Sequence, residues 1–139
     1  MPADDSDIRS QDPLWRGISR NLQPACVYDE GLQRWRPSSV VFEKGAKDKM
    51  ISVWIKAEVL KSRRQPVDLI KEPWIGIVQI TARQIRNQKL GIYKDPKPDE
   101  PAHANVFDKL QNRTTKEWKN ARETLARQAV WIIRPAACE

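Results

Sequence analysis

His103 is the only histidine in a chain of 139 residues, and the one side chain whose ordinary pKa lets it exchange a proton near neutral pH. It lies in Asp95 to Ala104, DPKPDEPAHA, close in sequence to Asp95, Asp99 and Glu100. A carboxylate beside an imidazole is the arrangement of an oriented general base, so acid–base catalysis here would run through His103 and Asp95. Such chemistry also needs a nucleophile or a group that stabilises developing charge. Ser38, Ser39, Tyr28 and Tyr93 are candidate hydroxyls, but no spacing ties them to the histidine. The plainer role for His103 is a hydrogen bond that fixes the path of a proline-rich loop.

A second constellation is Arg34-Trp35-Arg36-Pro37-Ser38-Ser39. Arginines flanking an aromatic ring can grip phosphate while the ring stacks on a base. Tryptophan is usually well buried, which favours Trp35 covering one end of the core with its two arginines in solvent. Further cations gather at Lys61, Arg63 and Arg64, at Arg83, Arg86 and Lys89, and at Lys116 and Lys119. The net charge is +7; residues 1 to 13 hold four Asp against one Arg, so residues 14 to 139 carry +10. A field of that sign attracts polyanions, either nucleic acid or the acidic face of a partner protein.

Other chemistries lack their residues. With one histidine, no C-x-x-C pair and no H-x-x-x-H pair, a zinc site built from protein ligands is short of donors. Neither G-x-x-x-x-G-K-[ST] nor G-x-G-x-x-G occurs among the five scattered glycines, so no metal and no cofactor is expected. Cys26 and Cys138 are 112 positions apart, which reads as two reduced thiols in a cytoplasmic protein. No window is apolar for long enough to cross a membrane, and MPADDSDIRSQD has neither the basic nor the apolar region of a signal peptide.

The elements that must position these residues follow from periodicity. Residues 1 to 13 are acidic and aperiodic, which predicts a flexible tail ahead of one domain at 14 to 139. Strands are expected at Leu14 to Ile18, Ala25 to Tyr28, Val40 to Phe42, Met50 to Lys56, Trp74 to Thr81, Leu90 to Lys94, Ala102 to Phe107 and Val130 to Ile133. Val40 to Phe42 and Met50 to Lys56 read as an antiparallel hairpin. Trp74 to Thr81 is apolar on both faces and so reads as central. One or two helical turns are expected at ARQIRNQ, and a short turn after Pro66. Prolines at 96, 98 and 101 keep Asp95 to Pro101 out of regular structure, and His103 and Asn105 then share a strand face with Phe107. The clearest helix covers about 114 to 129: Thr114 and Glu117 have capping-box spacing, and Trp118, Ala121, Leu125 and Ala129 form one stripe.

Leu14-Trp15-Arg16, RWRPSS at 34 to 39, Ile51-Ser52-Val53 and the DPxPxxPAHA block at 95 to 104 together resemble a family of small stand-alone bacterial proteins. The resemblance covers most of Leu14 to Pro135. It implies a bacterial cytoplasmic protein with a shared single domain, and it supplies no activity. Members tend to have Asn before the last proline of the block, where this chain has Glu100.

These readings converge on a single α+β domain, a mainly antiparallel sheet with one C-terminal helix packed on it. The expected function is a non-catalytic basic binding module, an accessory subunit of a larger bacterial assembly, that contacts nucleic acid or an acidic protein through Arg34, Trp35, Arg36 and the cation clusters. The alternative is a small enzyme using His103 as general acid or base.

Overall fold

β1 (Pro13–Ser19) runs through the middle of the molecule, with Leu14, Arg16 and Ile18 on one face and Trp15 and Gly17 on the other, all buried. The computed structural model describes residues 2–139. β1 pairs antiparallel with β4 (Ile51–Ile55) on one side and β5 (Trp74–Thr81) on the other. β7 (His103–Asp108) and then β6 (Leu90–Lys94) extend the sheet beyond β4, and β8 (Val130–Ile133) closes it beyond β5, giving the order β6-β7-β4-β1-β5-β8. β2 (Cys26–Asp29) and β3 (Arg34–Pro37) form a separate hairpin. The chain is therefore one α+β domain, a six-stranded antiparallel sheet plus a hairpin, with the C-terminal helix on the sheet.

That helix, α3 (Thr115–Gln128), is capped by Thr114, whose hydroxyl accepts from the Glu117 N–H while the Glu117 carboxylate accepts from the Thr114 N–H. Trp118, Ala121, Leu125 and Ala126 are buried on the sheet against Leu14, Ile18, Val53, Ile80, Ile92 and Val106. Alternation explains the pattern: every second residue of the central strands faces α3, and apart from Arg16 on β1 the buried ones are aliphatic. The opposite face is only partly covered. α1 (Lys56–Lys61) and a 3-10 turn at Pro66–Leu69 lay Val59 and Leu69 over Trp15 and Ile77 at one end, forming a smaller cluster.

Four expectations are corrected. Val40 to Phe42 is not a strand paired with Met50 to Lys56: Ser39–Phe42 is a 3-10 turn capped by Ser38, and β4 pairs with β1 and β7 instead. Both edges of β4 are taken, by β1 and β7, and a carbonyl of the turn serves Arg16, which is buried without a carboxylate partner among the described residues. Its guanidinium donates to the main-chain carbonyls of Val41 (2.8 Å), Ser52 (2.8 Å) and Glu43 (3.4 Å), tying the turn to β1 and β4. Burial pulls its pKa down to about 10. Lys56–Lys61, where no helix is expected, forms α1.

The acidic N-terminal segment does not trail away from the domain. Ile8 is 1% exposed within the main core, the Asp5 N–H donates to the Ile92 carbonyl, and the Asp4 carboxylate accepts from Arg86 and Lys109. The two cysteines are not free thiols: Cys26 on β2 and Cys138 in the final 3-10 turn are joined in a disulfide, their Cα atoms 6.0 Å apart. With the thiols joined, cysteine usage no longer points to a reducing compartment. No helix of the described residues is long and apolar enough to cross a membrane.

Candidate functional site

The half of the sheet that α1 leaves uncovered gathers polar and aromatic side chains from neighbouring strands. Register does this: Tyr93 stands opposite Asn105 and Asn105 opposite Ser52, while His103 stands opposite Trp54 and Trp54 opposite Trp15. A slip of one residue in any of these pairings would turn a row of them toward α3. Two adjoining hollows result, sharing Ser52 and His103. One, of about 180 Å³, is lined by Gly17, Trp54 and Trp74, and the other, of about 370 Å³, by Asp48, Tyr93, Asp95 and Asn105.

The first hollow is an aromatic slot. Trp54 and Trp74 meet edge to face with ring centres 5.6 Å apart. Gly17 makes this possible, since a Cβ there would stand 2.7 Å from the Trp74 ring and 2.9 Å from Trp54. The second hollow is rich in acceptors. Asn105 Nδ2 donates to Asp95 Oδ2 (2.9 Å) and to the Tyr93 hydroxyl (3.2 Å), and Lys97 Nζ lies 3.1 Å from the same carboxylate oxygen. Lys97 first, then His103 and Asn105, hold the Asp95 carboxyl below its ordinary pKa against the opposing effect of burial.

His103 stands between the hollows. Its Nδ1 is 2.9 Å from the Asp95 carbonyl and 3.5 Å from Asp95 Oδ2, so the neutral ring carries its proton on Nδ1 and presents Nε2 as an acceptor. The expected pairing of His103 with Asp95 is thus present, and its hydrogen bond ties the start of the proline-rich loop to β7. Among the described residues no hydroxyl or thiol hydrogen-bonds His103, and Ser38 is occupied elsewhere, donating to the Pro24 carbonyl. Nor do the described residues hold a group of His, Cys, Asp and Glu suited to a metal ion.

The expected cations divide into structural and free ones. Arg36 is buried, donating to Asp29 (2.7 Å) and to Glu123 on α3 (2.5 Å), which anchors the hairpin to the helix. Arg64 grips Glu100 of the proline-rich loop through two bonds of 2.6 and 2.7 Å, and Arg86 binds Asp4. Arg63 and Lys89 are exposed and adopt φ of 63° and 62°, ending α1 and α2 (Ala82–Asn87) respectively in the left-handed conformation that terminates helices. Arg83, Lys116 and Lys119 are exposed on α2 and α3, two helices that pack on each other, whereas Lys61 lies on α1 across the sheet. The cations therefore form no single face.

The RWRPSS segment inverts its expectation. Trp35 is 47% exposed and Arg36 only 6%, because β3 turns Arg36 toward the carboxylates of Asp29 and Glu123 and so turns Trp35 outward. Tyr28, opposite Trp35 on the hairpin and 51% exposed, meets it edge to face at 5.7 Å. Arg34 donates to the Arg127 carbonyl, the Trp131 indole donates to the Trp35 carbonyl, and Arg134 covers the Trp131 ring. An aromatic surface edged by Arg34, Arg127 and Arg134 results.

Sequence reasoning did not single out Ser52, Trp54, Trp74, Asn105 or Gly17 as site residues. Alternation does put Ser52 and Trp54 on one face and His103 and Asn105 on another, but the pairing of β4 with β7 that merges those faces leaves no local signal. No family model, curated protein or solved structure matches the chain.

Proposed function

We propose that this chain is a non-catalytic binding module that takes a single-stranded nucleic acid on its β2–β3 hairpin. The observation that carries this is the Tyr28–Trp35 pair, two large aromatic side chains each about half exposed beside arginines. Bases stack on such rings with little regard to sequence, each stack worth about 1–3 kcal/mol, and arginines supply the phosphate contacts. The charge of +7 adds long-range attraction. An acidic protein segment would feel the same field but would gain less from the rings.

The test is a fluorescence titration with short single-stranded DNA and RNA, with duplex DNA and polyglutamate as comparisons, repeated as salt is raised. Single strands should bind most tightly, with an affinity that falls as salt rises, and Trp35→Ala should weaken binding about tenfold. No binding at low salt, or binding indifferent to Trp35→Ala, would overturn the reading. Polyglutamate binding as tightly as nucleic acid would identify an acidic-protein site instead.

The second reading, a small enzyme, is favoured by one observation: His103 is oriented through Nδ1 and offers Nε2 inside a groove. It supports His103 as the acid or base and leaves the nucleophile unassigned. A bell-shaped or sigmoid pH–rate profile abolished by His103→Gln would establish it.

A further inference from the structure

From the uncovered half of the sheet we infer a second binding site, independent of the hairpin: the groove around His103 takes a small neutral molecule that joins a flat heteroaromatic ring to a hydroxyl-bearing end, the chemistry of a nucleoside. Three features define the ligand.

The first is the slot. Trp54 and Trp74 stand at 77° to one another over Gly17, offering one ring face and one ring edge around a hollow of about 180 Å³. That volume and that lining suit a single flat ring, held by stacking and edge contact. Gly17 lets both rings lie against β1, and a side chain there would push them out of the positions that shape the slot.

The second is the polarity of the adjoining hollow. Asp95 Oδ1, Asn105 Oδ1, Ser52 Oγ and His103 Nε2 have no hydrogen-bond partner among the described residues. None of the four is sealed from solvent. Three of them are acceptors only, and the serine hydroxyl can act either way. Four such atoms, brought by β4, β7 and the start of the loop to one place, are complementary to a ligand end that brings donors, as adjacent hydroxyl groups do.

The third is charge. Asp48 and Asp95 line this end against Lys97 alone, in a chain whose net charge is +7. Lys97 is already paired with Asp95, and Asp48 has no ion-pair partner among the described residues, so a phosphate on the ligand would meet a carboxylate and find no free cation lining this hollow. The groove therefore discriminates against nucleotides, while the hairpin attracts nucleic-acid strands; the two sites read the same building block, one neutral and the other anionic.

The test uses the full chain and the fact that it has a single imidazole. Adenosine, cytidine, adenosine 5′-monophosphate, ribose and adenine are titrated separately while the imidazole resonances of His103 and the chain's calorimetric response are followed. Nucleosides should shift the His103 signals saturably, with ribose, the free base and the monophosphate each at least tenfold weaker. Trp54→Ala and Asp95→Asn should each lose at least tenfold in nucleoside affinity, and Trp35→Ala should leave it unchanged, which separates this site from the hairpin. Asp95→Asn keeps the shape of the carboxylate, so it tests the acceptor even where Trp54→Ala unfolds the chain. No response to either nucleoside at millimolar concentration, a monophosphate that binds as tightly as its nucleoside, or an affinity unmoved by Asp95→Asn would overturn the proposal.

Discussion

The two faces of the central sheet are made by alternate residues of the same strands, yet they differ in almost every property that bears on function. Toward α3 the rows are Leu14, Ile51, Val53, Ile80 and Val106, closed over by Trp118 and Leu125, and the one charge among them, Arg16, spends its donors on main-chain carbonyls. On the other face, where α1 covers only one end, Trp54, Trp74, Ser52 and His103 are only half-buried, and Asn105 lies beneath them in the floor of the groove. Burial by a helix demands shape and removes chemistry; leaving half a sheet open lets each strand contribute one polar or aromatic residue at a fixed spacing. The closed face should thus respond to substitution in stability, and the open face in binding.

The largest effect tests the closed face. Leu125→Ala removes a side chain that is 1% exposed and should cost about 2–5 kcal/mol in denaturant melts; a cost below about 1 kcal/mol would show that α3 does not close this face. Next comes a substitution that crosses the comparison. Gly17→Val drives a Cβ into the Trp74 and Trp54 rings, so it should cost about 1–3 kcal/mol and abolish ligand binding in the groove; unchanged stability would place the rings elsewhere. Thr114→Ala removes the hydroxyl that accepts from the Glu117 N–H at 3.1 Å and should cost about 1 kcal/mol, without any effect on either proposed site.

A smaller effect concerns the N-terminal strap. Burial raises the pKa of Asp4, but hydrogen bonds from Arg86, Lys109 and the Ile92 N–H lower it by more, leaving it below 3.8. A carboxyl whose pKa is depressed by folding contributes stability that is complete above its unfolded pKa and disappears as pH falls through the folded one. Hydrogen exchange should therefore find residues 2 to 12 protected at pH 6 and opening below about pH 4, with the dependence reduced in Asp4→Asn. The smallest change is expected at Lys119→Ala, on the exposed side of α3, where melts should move by less than about 0.5 kcal/mol.

Local pattern determined much of this protein. The 2-residue period of Leu14 to Ile18 and Ile51 to Ile55, the apolar run of Trp74 to Thr81, and the 3.6-residue stripe and capping box of α3 identify elements through interactions between residues close in the chain, which any reading of neighbours can find. The α+β class and the antiparallel sheet follow from their order. What only the tertiary structure decided is which strands lie side by side and which side chains trade solvent for a partner. Trp35 is exposed because Arg36 finds Asp29 and Glu123; Val40 to Phe42 curls into a turn, its Val41 carbonyl bound by Arg16, because both edges of β4 are taken by β1 and β7; Cys26 reaches Cys138 because β2 and the last turn meet. The groove itself exists because β4 lies between β1 and β7, so that Trp54 and Ser52 stand beside His103 and Asn105, residues about fifty positions away. Contacts of that range are set by the free energy of the whole packed chain, and a single strand carries no record of its neighbour.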